Sequence, residues 1–378
     1  MNHRERILGV LRGERVDKIP WVHYDRHFPR GEKEREIRNL GMGLCCSRPC
    51  FFTEHPNVEI VQSMKPGGVI LRTYHTPLGS LTEKLKVGVG YGKARYGRDW
   101  KGHVPRIVEY LIKKPEDYEV MKFIVEDTEY KPYYEAIEDA ERHLGGDGIV
   151  QVNLGYSPLQ TIIIELTGVE RFYIDYARHR ERVLELYDVL DRKYEEKYRI
   201  AAKSPGEFFL YGDNIDGFLI SPSFFERYCI PAYNKCAREL HSTGRILGVH
   251  MDGRLKSLAN LIGKAEIDVI EAFTPPPMGD LPIREARSLW KDKIIWMNYP
   301  SSVYVMGPPA VRRHLINLLE SVIPGDRLLI TASTENVIEE EALLAATEIL
   351  AEATLPLTEE KVKEIERKIP AERSIGSG

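Results

Sequence analysis

His250 and Asp252 stand two residues apart where the apolar run Ile246-Leu247-Gly248-Val249 ends. On an extended backbone that spacing directs both side chains to one side. An imidazole and a carboxylate so placed can bind a divalent metal, relay a proton or hydrogen-bond each other. Glu271 follows Val269-Ile270, and Glu335 follows Leu328-Leu329-Ile330-Thr331. With His250, these carboxylates could form a zinc site with one open position, as catalytic zinc needs; either could also be salt-bridged or solvated at a rim. Asp213, Asn214, Asn153, Tyr156 and Asn298 supply hydrogen-bonding groups of the kind that orient a small polar ligand. Asp213 can in addition act as a proton-donating acid, and Asn298 reads equally as a turn residue before Pro300.

These residues share a setting. Short apolar runs end abruptly in polar or ionisable side chains, as in Phe208-Phe209-Leu210-Tyr211 before Gly212-Asp213-Asn214 and Ile294-Ile295-Trp296-Met297 before Asn298. Buried parallel strands read this way when their carboxyl ends open into reactive loops. Eight strand candidates lie near residues 19, 58, 149, 207, 246, 268, 294 and 327, and from 149 onward most are separated by helical patterns. Repeated strand-helix units favour an α/β fold of the (β/α)8 TIM-barrel type, with an N-terminal helical and hairpin elaboration. The chain 1–378 reads as a single barrel domain. Residues 64–130 form an expected hairpin and loop excursion over its mouth. Alternation between Gly67 and Val87 with a turn at Pro77-Leu78-Gly79 predicts a β-hairpin, and the glycine-rich, charged stretch 88–102 suggests a mobile loop or a lid. No G-x-G-x-x-G follows a strand and no P-loop motif occurs, so nucleotide-binding readings lack support.

Composition bounds the rest. With 53 basic and 57 acidic residues, the net charge of -4 gives no electrostatic footprint for nucleic acid. No apolar stretch approaches membrane-spanning length and no signal-peptide core follows Met1, so the expected location is the cytoplasm. Five cysteines, an odd and sparse set, argue against a disulfide framework and are expected to be buried thiols.

Several motifs together resemble the uroporphyrinogen decarboxylase superfamily. They are Arg4-Glu5-Arg6-Ile7-Leu8-Gly9-Val10-Leu11-Arg12-Gly13-Glu14 with Asp17-Lys18-Ile19-Pro20, then Thr76-Pro77-Leu78-Gly79-Ser80-Leu81-Thr82, Ile220-Ser221-Pro222-Ser223-Phe224-Phe225 and His250-Met251-Asp252-Gly253. The resemblance covers nearly the whole chain and implies a (β/α)8 barrel. Decarboxylases of the superfamily carry an early R-Q-A-G-R porphyrin clamp. Here that region reads His23-Tyr24-Asp25-Arg26-His27-Phe28-Pro29-Arg30, so the clamp is missing and heme biosynthesis is not expected.

The other branch consists of methyltransferases that work with corrinoid proteins, and this chain is similar to it in the Thr-Pro-x-Gly hairpin and the His strand. That branch binds zinc through His-x-Cys and a later Cys. The resemblance therefore carries His250 over as a zinc ligand, with Asp252 and Glu335 as substitutes for the thiolates. An oxygen-rich site suits an ether or alcohol oxygen better than a thiol. The expectation is a metal-assisted methyltransferase with His250, Asp213 and Glu335 as catalytic residues. It would move a methyl group from a small methylated, even methoxylated, donor to a corrinoid carried by a partner protein. Asn153, Tyr156, Asn214, Glu271 and Asn298 would bind the substrate. A metal-free lyase acting on a small carboxylic acid is the alternative, and a homodimer is left open.

Overall fold

The computed structural model describes residues 1–25, 31–87, 105–332 and 338–371. The strands in chain order are β1 Trp21–Tyr24, β2 Met42–Pro49, β3 Phe51–Glu54, β4 Glu59–Lys65, β5 Val69–Thr76, β6 Gly79–Lys86 and β7 Arg106–Glu109. They continue with β8 Glu129–Pro132, β9 Gly148–Asn153, β10 Phe208–Tyr211, β11 Ile246–His250, β12 Val269–Phe273, β13 Ile294–Asn298 and β14 Leu328–Thr331. Two compact units result: Met1–Cys50 with Tyr134–Gly155 and Pro205–Gly378, and Phe51–Tyr133 with Tyr156–Ser204.

The first unit is a closed parallel barrel in the order β1-β14-β13-β12-β11-β10-β9-β2, with β2 pairing β1 to close the ring. Helical segments separate most of these strands, which makes it a (β/α)8 TIM barrel. Period-two alternation turns Val22, Cys45, Ile149, Phe208, Ile246, Val269, Ile294, Trp296 and Leu329 into one buried cluster. At its centre Phe208 stacks on Trp296 with ring centroids 5.4 Å apart. The helix His3–Leu11 adds Ile7, Leu8, Val10 and Leu11 to the same cluster. Its first turn is fixed by a capping box in which Asn2 and Glu5 satisfy each other's backbone amides.

The second unit holds an antiparallel sheet β4-β5-β6-β7 and the two-stranded β3-β8 pair. The expected hairpin is present as β5 and β6, with Thr76 opposite Gly79 across the turn. Residues 64–130 fall within this unit, and the suggested lid at 88–102 lies outside the described residues.

One strand expectation needs correction. The run at Val58 supplies β4 of the antiparallel sheet and not a barrel strand; the missing barrel member is β2. Alternation identifies a strand but not the sheet it joins, and Gly43-Leu44-Cys45-Cys46 carries only one strongly apolar side chain. All five cysteines are buried and none forms a disulfide, as expected. Among the described residues no helix is long and apolar enough to cross a membrane.

Candidate active site

Strands β1, β11 and β12 bring Tyr24, Glu271 and His250 into one hydrogen-bonded chain, with Asp252 just past β11 beside its open end. His250 and Glu271 are register partners on neighbouring strands, and Nδ1 of His250 lies 2.5 Å from Oε2 of Glu271. The Tyr24 hydroxyl donates to the other oxygen of Glu271. On the far side of the imidazole, Nε2 of His250 faces Oδ2 of Asp252 at 3.5 Å. Glu271 is completely buried, whereas the His250 and Asp252 side chains keep 25% and 34% exposure, so only that end is open to a ligand.

Local backbone fixes this arrangement. Beyond His250 the Met251 amide donates to the Glu271 carbonyl, extending the β11–β12 ladder past the strand end. A register irregularity follows Glu271, where Ala272 takes a positive φ of 62°. Such a conformation in a residue with a Cβ persists only when its surroundings over-determine it, and it re-aims the chain next to the buried carboxylate. The loop after β11 is tied to the loop after β10. Ile215 donates to the His250 carbonyl, Gly253 donates to the Ile215 carbonyl, and the Arg254 amide donates to Asp216. Gly253 is required there, because a Cβ would sit 2.2 Å from Oδ2 of Asp216.

Charge follows from this geometry. Burial disfavours protonated His250, but the Glu271 carboxylate and the hydrogen bonding of the ring N–H groups to both carboxylates outweigh it and push the imidazole up to about 10. Asp252 is held below its ordinary value, with burial opposing and the His250 contact prevailing. His250 and Asp252 are therefore an imidazolium and a carboxylate when no other cation is bound.

A metal ion fits the open end in part. In a tetrahedral zinc site with bonds of about 2.0–2.1 Å, two ligand atoms sit roughly 3.4 Å apart, close to the separation of Nε2 and Oδ2. Glu271 on Nδ1 is the carboxylate backing that metal-bound histidines commonly have. Yet among the described residues no group of three or more His, Cys, Asp or Glu side chains is placed to hold a metal. Glu335, the expected third ligand, lies outside the described residues.

Of the remaining expected site residues, Asn153, Asp213 and Asn298 stand at or just past the carboxyl ends of β9, β10 and β13 in the same parallel barrel. Asn298 ends β13 with its Oδ1 buried and without a hydrogen-bond donor among the described residues, an acceptor that a ligand N–H or O–H would satisfy. Asp213 is fully buried and receives the Tyr233 hydroxyl at 2.6 Å from the helix Ile230–His241. Asn214 is exposed with a φ of 47°. Asn153 ends β9 and is exposed, its Oδ1 accepting the Gly155 amide at 2.8 Å. Tyr156 belongs to the second unit, where its carbonyl accepts from Lys197 at 3.4 Å. Tyr24 was not among the expected site residues. Its signal was parity, since it sits two positions beyond the inward-facing Val22.

Comparison with known proteins accords with this architecture. A solved methyltransferase from Methanosarcina mazei superposes with a TM-score of 0.56 at 12% identity, covering 92% of this chain and 97% of its own. A pneumococcal exo-β-D-N-acetylglucosaminidase GH20 module gives only 0.39 at 11% identity, covering 91% and 86%. At 12% identity the likeness to the methyltransferase concerns the fold. No curated protein matches the sequence. The family profile described as uroporphyrinogen decarboxylase (URO-D) matches residues 2–321. The chain belongs to the uroporphyrinogen decarboxylase family.

Proposed function

We propose that this barrel is a methyltransferase that moves a methyl group from a small methylated donor, methoxylated compounds included, to a corrinoid carried by a separate protein. The observation that carries the reading is the Tyr24–Glu271–His250–Asp252 chain, which presents one imidazole nitrogen and one carboxylate oxygen at the open end of the barrel strands. His250 and Asp252, with Glu335 as third ligand, would hold a zinc ion that supplies Lewis-acid polarisation of the leaving oxygen. Glu271, steadied by Tyr24, fixes the imidazole tautomer and ring orientation so that Nε2 faces the ligand. Asn298 accepts a hydrogen bond from the donor molecule and orients it. Transfer would break the methyl–oxygen bond while the electron pair of the reduced corrinoid substrate forms the new bond to the methyl carbon, and the oxygen would leave as an alcohol or phenol with a proton from solvent.

A second reading has its own support. Without a metal, His250 is an imidazolium at neutral pH, a ready acid for protonating the carbanion left when a small carboxylic acid loses carbon dioxide. Elemental mass spectrometry on untagged protein separates the two. The methyltransferase reading expects near-stoichiometric zinc that His250→Ala abolishes, and demethylated product only when a corrinoid protein is supplied. Metal-free protein that takes up no zinc, or a full zinc complement in His250→Ala, would overturn the ligand assignment.

A further inference from the structure

Strand β4 is the edge of the antiparallel sheet in the second unit, and all seven of its residues are exposed. Among the described residues no strand pairs with its outer side. Natural edge strands are protected by charges, prolines or bulges. Here Ile60-Val61-Gln62-Ser63-Met64 is uncharged, contains no proline and pairs with β5 in unbroken register. Charge occurs only at the ends, as Glu59 and Lys65. Neither forms an ion pair with another described residue.

The inner face of the sheet explains the apolar residues. Met64 lies opposite the buried Ile70, which in turn faces the buried Leu85, and Ile60 lies opposite Tyr74, which faces the buried Leu81. Ile60 and Met64 therefore continue a buried apolar face, yet they remain 43% and 71% exposed.

We propose that β4 is a homodimer interface, pairing antiparallel with the same strand of a second copy about a two-fold axis at Gln62. This register sets Glu59 opposite the partner's Lys65, Ile60 opposite the partner's Met64 and Val61 opposite the partner's Ser63. Each of the two symmetric Glu–Lys pairs is attractive, and the two apolar faces become continuous. Sliding by two residues would put Glu59 opposite the partner's Ser63 or the partner's Gly67, so only the central register matches both charges. An isologous contact of this kind closes on itself and stops at a dimer.

Sedimentation velocity across a micromolar dilution series tests the interface, with circular dichroism confirming the fold of each variant. The full chain should sediment as a dimer. Glu59→Lys and Lys65→Glu should each weaken dimerisation by roughly tenfold or more by placing like charges opposite each other. The double variant Glu59→Lys/Lys65→Glu should regain the wild-type constant, and Ile60→Lys should lose the dimer by an independent route. A monomer at every concentration, a dimer indifferent to the single swaps, or a double variant no better than the singles would overturn the proposal.

Discussion

Glu271 keeps a carboxylate with no solvent exposure, and only its neighbours make that tolerable. An uncompensated buried charge costs several kcal/mol, whereas Glu271 faces the His250 imidazolium on one oxygen and the Tyr24 hydroxyl on the other. Removing the cation should be felt far beyond one lost contact. His250→Ala should destabilise the fold by about 3–5 kcal/mol in urea titration. Adding Glu271→Gln should recover part of that loss, because a neutral amide still accepts from Tyr24 but carries no stranded charge. A double variant less stable than His250→Ala would show that the loss has another source. At this scale the sequence was partly legible: His250, Asp252 and Glu271 stood out because ionisable groups ended apolar runs. Tyr24 did not, since a tyrosine closing such a run reads as core, and its partner lies 247 positions away.

The element scale explains why the open end of the site is orderly. The loops after β10 and β11 are laced together by backbone bonds between Ile215, Gly217 and the 250–254 segment. This depends on the backbone of Gly253 passing against Asp216. Gly253→Ala should push Asp216 out of its bonds with the Phe218 and Arg254 amides and cost about 1–3 kcal/mol, read as a lower urea midpoint. Turnover should fall further than stability, because Asp252 rides on the displaced loop. Wild-type turnover in Gly253→Ala would show that the loop does not position Asp252. Glycine in His-Met-Asp-Gly was visible in sequence, but its reason was not, since Asp216 approaches from a different strand end. The same limit explains the β2 and β4 assignments. Local alternation marks a strand, while its neighbours are chosen by contacts from distant segments.

At the scale of the whole molecule, the segment leading into β1 meets residues 353–355 in a junction at the opposite end of that strand from Tyr24. The helix His3–Leu11 packs its apolar face into the barrel cluster. The segment after it is stitched to the C-terminal part, with Leu355 donating to the Asp17 carbonyl and Ile19 donating to the Ala353 carbonyl. Arg6 joins helix to junction through two bonds to Asp17, at 2.7 and 2.8 Å. Those bonds, more than any other contact, hold the Asp17 carboxyl down at about 2 from its ordinary 3.8. A carboxyl depressed on folding adds stability that is fully present above pH 3.8 and is lost as pH falls through about 2. Asp17 keeps 40% exposure, so the gain is modest and salt should screen part of it. Urea midpoints for the wild type and Asp17→Asn, measured from neutral pH down to acid, should differ above pH 3.8 and converge as pH approaches 2. Two parallel curves over that range would mean that the Arg6–Asp17 bonds do not secure the N-terminal helix to the junction.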